Sequence, residues 1–132
     1  MKLFLFFSLI FISTSVYSQD DQFIHVTTAN DGSKVFVKYE GKVYDSKQFW
    51  LKMNNPSKTI KNKNGKLIKS GGGYLMRFFE LNCSTKTYSA SDGVEYNNSG
   101  KVVKKLYDIY NDRVIPGSVM DGVYEYVCSE FE

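Results

Sequence analysis

The chain has few of the residues from which most active sites are assembled. Its 132 residues include one histidine, two cysteines, two prolines and one tryptophan. A Cys–His nucleophile would need a free thiol beside the single His25, and both thiols are expected to be bonded to each other. No serine is followed three residues later by lysine, and there is no G-x-S-x-G. Gly71-Gly72-Gly73 lacks the spacing of a phosphate or dinucleotide loop and reads as backbone freedom. A metal site needs several donors together, and the only acidic pair is Asp20-Asp21. No catalytic residue, metal site or cofactor is therefore expected. His25 lies in an alternating segment and reads as a solvent-facing or hydrogen-bonded strand histidine.

Long apolar runs are also scarce. The one clear run, Leu3 to Ile12, is interrupted by Ser8, follows Lys2 and ends at Ser13-Thr14-Ser15. It is far shorter than the ~20 residues of a bilayer span. With Val16-Tyr17-Ser18 it has the form of a signal peptide, residues 1–18, cleaved after Ser18. The expected product is a single domain, 19–132, exported to the periplasm, cell surface or medium, with no transmembrane segment in the mature chain. The formal net charge is +3, and removing the leader takes away Lys2 and no acid. That balance is too near neutral to argue for nucleic acid.

In an exported chain, two cysteines are most simply one disulfide, here Cys83–Cys128. It closes a loop of about 45 residues, for which the chain-entropy relation gives roughly 4 kcal/mol. A metal or redox pair would call for the close C-x-x-C spacing, which is absent.

Most of the remaining sequence reads as strands. Aromatics make up 16% of the chain, mostly Tyr and Phe. Residues 23–28 and 34–39 flank the turn signal Asn30-Asp31-Gly32. A further turn is expected at Glu40-Gly41, and a strand over 48–53 that ends at Asn54-Asn55-Pro56. In Tyr74 to Asn82, Leu75, Phe79 and Leu81 share one face with Arg77 as the exception, and Tyr74, Met76 and Phe78 on the other face are also apolar, which predicts a central strand. The segment 86–96 should carry a bulge or bend at Asp92-Gly93. It should turn at Asn97-Asn98-Ser99-Gly100 and return as one strand over 101–110. Residues 57–73 show no clear period and read as a long, mobile loop or an irregular hairpin.

The period changes near the C-terminus. Met120, Val123, Tyr124, Val127 and Cys128 form one helical stripe, and Ser118 with Asp121 has the pattern of a capping box. A helix over 118–129 is too short to stand alone in water and must dock. Cys128 on its apolar stripe would staple it to the strand carrying Cys83. The expected fold class is α+β, mostly β: an antiparallel sheet of about six strands with a short C-terminal helix tethered to one face by the disulfide.

One surface feature stands out. No acid occurs between Asp45 and Glu80, a stretch holding Lys47, Lys52, Lys58, Lys61, Lys63, Lys66, Lys69 and Arg77. After Lys105 the balance reverses, with Asp108, Asp112, Asp121, Glu125, Glu130 and Glu132 against Arg113. One reading is a solvated loop and a solvated helix face. The other is a basic patch at Lys58, Lys61, Lys63, Lys66 and Lys69 for an acidic partner: polysaccharide, outer-membrane lipid or a protein surface. Single-stranded nucleic acid would want aromatics among these lysines, and 57–69 has none.

From residue 35 to 128 the chain resembles the surface-adhesin protein E family of Gram-negative bacteria. The shared features are Phe49-Trp50-Leu51-Lys52 before a proline break, and Phe79-Glu80-Leu81-Asn82-Cys83. They continue with the hairpin Val94-Glu95-Tyr96-Asn97-Asn98-Ser99-Gly100-Lys101-Val102-Val103, then Ile115-Pro116-Gly117-Ser118 followed by Val127-Cys128. The resemblance implies the same sheet with a disulfide-tethered helix. It also implies an exported surface adhesin that binds host matrix and serum proteins, and with no catalytic set in the chain the expectation is a non-enzymatic binding module for host or matrix macromolecules. The alternative is an envelope protein with a structural or inhibitory role towards another bacterial protein. The lysine-rich segment matches no binding motif of that family, and the sequence leaves the oligomeric state open.

Overall fold

The computed structural model describes residues 22–131. The expected signal peptide and its cleavage point lie outside the described residues. Among the described residues, nine strands precede one helix: β1 Ile24–Thr28, β2 Lys34–Val43, β3 Ser46–Asn54, β4 Ser57–Lys61, β5 Leu67–Gly71, β6 Tyr74–Asn82, β7 Thr87–Tyr96, β8 Val102–Lys105, β9 Ile109–Arg113 and α1 Val119–Glu130. The main sheet is an antiparallel meander, β1-β2-β3-β6-β7-β8, with β9 also paired to β7. The pair β4–β5 forms a separate two-stranded ribbon between β3 and β6. The mostly-β class, the antiparallel sheet, the single C-terminal helix and the Cys83–Cys128 bond all match the sequence reading.

The core lies between one face of this sheet and α1. Val35, Val37, Phe49, Leu51, Phe79, Leu81 and Ala90 alternate along their strands and are buried, as period two requires. Val123 and Val127 close over them from the helix and are fully buried. Gly122 lets α1 approach β1, because a Cβ there would stand 3.2 Å from Thr27. Ser118 caps the helix, its hydroxyl accepting from the Asp121 N–H at 3.2 Å. The Asp121 carboxylate reaches back to the Gly117 N–H at 2.8 Å, one residue before the position a capping box predicts.

The other end of α1 is held from outside. Its last turn carries no basic side chain of its own. Lys47 of β3, buried under the helix, donates to the Val127 carbonyl at 3.3 Å, placing a cation at the negative end of the helix. Cys83 and Cys128 are bonded with Cα atoms 5.8 Å apart. The Tyr124 hydroxyl donates to the Cys83 carbonyl at 3.1 Å, and the Lys86 ammonium stands 5.2 Å from the Tyr124 ring centroid.

Four local expectations change. Glu40-Gly41 is a bulge inside β2, and the chain turns at Tyr44-Asp45, with Tyr44 at a φ of 52°. Tyr39, paired with Phe49 before the bulge, stacks on Phe131 at 4.2 Å, and pairing resumes at Gly41–Gln48. The return strand over 101–110 is split into β8 and β9, which pair with opposite ends of β7. At the break, Arg77, buried on the core face, donates to the Tyr107 carbonyl, and the Leu106 N–H donates to the Gly93 carbonyl at 2.8 Å. Cys83 lies in the turn just after β6 and not in the strand. Lastly, 57–73 forms a regular hairpin. The expected bulge at Asp92-Gly93 is present, both residues standing opposite Arg77.

Candidate binding surface at the ribbon end of the sheet

The ribbon continues the β3–β6 hairpin. Asn54 pairs with Tyr74, the Asn55 N–H donates to the Gly73 carbonyl at 3.0 Å, and the Gly72 N–H donates to the Pro56 carbonyl at 3.1 Å. Pairing then resumes at Ser57–Gly71. The tip is fixed by Asn62, whose side-chain oxygen accepts from the Asn64 and Lys66 N–H groups at 3.0 and 2.9 Å, with Gly65 at a positive φ of 75°. The β7–β8 turn repeats this arrangement with Asn97 and Gly100.

Register divides the five candidate lysines. Lys61 and Lys69 lie on one face, diagonal across the Lys61–Leu67 and Thr59–Lys69 pairs. Lys58 lies on the opposite face with Ile60 and Ile68, and Lys63 and Lys66 lie in or beside the tip. The structure therefore does not gather them on one plane; it distributes them around a ribbon whose strands are exposed throughout. Ile60, Leu67 and Ile68 are exposed among them, Leu67 at 63%. None of the five makes an ion pair among the described residues; the pair found there is Lys38–Glu40. The nearest acidic influence is on Lys58. The Asp31 carboxyl is held below its ordinary range mainly by the Ser33 N–H, with a small contribution from Lys58.

The other basic residues of the stretch serve the fold. Lys47 holds the helix terminus and Arg77 the 106–108 crossing, while the Lys52 ammonium lies 4.9 Å from the centroid of the Tyr74 ring. His25 is exposed on β1, 3.1 Å from the Thr28 hydroxyl and beside the Phe36 ring. Among the described residues, no three His, Cys, Asp or Glu side chains are grouped as metal ligands would be, and no helix is long and apolar enough to cross a membrane. Burial, and next the Asp112 charge, push the Tyr88 hydroxyl above its usual pKa, at the end of the sheet away from the ribbon.

Sequence reasoning missed a concavity at the ribbon's base. A cleft of about 480 Å³ is lined by Asn54, Asn55, Ser57, Lys69, Gly72, Gly73, Tyr74, Asn97 and Asn98. Close approach of two hairpins forms it. A Cβ on Gly73 would collide with the Tyr96 carbonyl, and one on Gly71 would lie 2.9 Å from the Pro56 carbonyl. Each of these glycines also has a positive φ, near 75–79°. The three adjacent glycines were the one local signal; that they oppose Asn97-Asn98 is a property of the sheet.

Family models, curated proteins and solved structures yield no match to this chain. The functional reading therefore rests on its own geometry and on the resemblance described above.

Proposed function

We propose that the protein is an exported, non-enzymatic binding module that engages an acidic macromolecule through the ribbon 57–71. The observation that carries this reading is a projecting ribbon with five exposed lysines, none held by an ion pair among the described residues. Lys47 and Lys52 of the same acid-free stretch are instead engaged within the fold. A partner carrying carboxylates or sulfates gains mainly in association rate, and salt screens that gain over ~8 Å at physiological ionic strength. The disulfide suits an oxidising compartment, which supports export. The resemblance to surface-adhesin protein E supports a role at the cell surface with a matrix protein as partner, and the lysines extend the candidates to acidic polysaccharide.

Replacing Lys58, Lys61, Lys63 and Lys66 with Gln tests this. Binding to immobilised heparin and to matrix protein at low salt should fall, and what remains should lose its salt dependence, with the fold unchanged by circular dichroism. Binding equal to the parent's at low salt would rule out the ribbon. A second reading, a role towards another bacterial envelope protein, draws on the exposed Ile60, Leu67 and Ile68, which suit a protein surface better than a glycan. Capture from envelope fractions against capture from host matrix separates the two.

A further inference from the structure

The cleft beneath the ribbon has a different chemistry from the ribbon itself. Four asparagines reach it from two hairpins: Asn54 and Asn55 at the end of β3, and Asn97 and Asn98 in the β7–β8 turn. Asn97 spends its side-chain oxygen on the turn, accepting from Ser99 and Lys101, which leaves its NH₂ group to donate. Among the described residues, no hydrogen bond engages the side chains of Asn54, Asn55 or Asn98. Each of those three amides can donate and accept. Lys69 adds one cation at the wall, and no carboxylate lines the cleft.

We propose that this cleft binds a sugar unit of an acidic glycan, with the amides on its hydroxyls and Lys69 on its carboxylate. The proposal rests on the reading of the protein as a binder of acidic macromolecules and names the ligand class. Sugar hydroxyls both donate and accept, as free amides do. A base-stacking ligand would need an open aromatic face. Tyr74 does not provide one, since its ring is stacked on Tyr96 at 4.7 Å and lies against Lys52. A peptide held by its side chains would need apolar pockets. The walls are already fixed by the glycine approach and by the Asn97 turn, so little ordering is lost on binding.

The test is an NMR titration of the ¹⁵N-labelled protein with tetragalacturonate, and with neutral galactotetraose as control. The side-chain amide signals of Asn54, Asn55, Asn97 and Asn98 should shift together with the acidic sugar and much less with the neutral one. Asn55→Ala/Asn98→Ala should weaken binding about tenfold, as expected for two lost hydrogen bonds, without changing the melting curve. The quadruple Lys→Gln variant retains Lys69, so its cleft amides should still shift. Shifts confined to the ribbon lysines would overturn the cleft and leave the ribbon reading standing. Equal shifts with both sugars, or none with tetragalacturonate, would also overturn it; heparin binding by the parent then reports separately on the ribbon.

Discussion

The two ends of the sheet are built from the same strands and treated in opposite ways. At one end the 82–87 turn is tied to α1 by the disulfide, by the Tyr124 hydroxyl and by the Lys86–Tyr124 contact, with Lys47 closing the helix terminus. At the other, the ribbon runs out beyond the sheet with no residue of its strands buried. A two-stranded hairpin is marginal in water on its own. This one is held by its side-chain-capped tip and by the backbone bonds at Asn55 and Gly72. The difference separates two tasks. The covered end buries its contacts against the helix, and the strands of the uncovered end stay exposed throughout.

Three experiments bear on that contrast. The largest effect is expected in the core. Phe49 is fully buried and stacked on Phe79 at 5.6 Å, so Phe49→Ala should cost about 3–5 kcal/mol in urea denaturation. A loss below 1 kcal/mol would mean that the sheet–helix layer is not the core. Next comes the staple. Cys128→Ser should cost up to roughly 4 kcal/mol, the loop-closure value for a separation of 45 residues. The amides of α1 should lose hydrogen-exchange protection before those of β3 and β6. Two free thiols in protein taken from the envelope would remove the basis of this expectation. The smallest effect belongs to the ribbon. Ile68 is 39% exposed, and Ile68→Ser should change stability by no more than about 0.5 kcal/mol. Ribbon amides should exchange well before those of β3. A cost above 2 kcal/mol would show that the ribbon is packed in solution, and the contrast between the ends would fail.

Legibility followed the range of the forces involved. The helix, its Ser118 cap, the Asp92-Gly93 bulge and the Asn97–Gly100 turn could be read because each depends on residues within a few positions. The ribbon was harder. Its strands lack a buried face, so Lys, Thr, Ile and Ser follow no period-two pattern and the segment looks like a loop. The break between β8 and β9 was hidden for another reason: its contacts come from Gly93 and from Arg77, the latter 30 residues before Tyr107.

By itself, the sequence determined that strands would dominate, that one short amphipathic helix must dock at the C-terminus and that Cys83 would pair with Cys128. Composition, period and cysteine count suffice for those. Only the tertiary structure decided which cations are committed and which make no ion pair among the described residues. Lys47, Lys52 and Arg77 look like Lys58 and Lys61 in the chain, yet the first three lie under the helix, against Tyr74 and in the core. It also decided that four asparagines from two hairpins share one cleft. Both outcomes depend on strand register, which sets the side chains that meet across a sheet and is not encoded in any one segment.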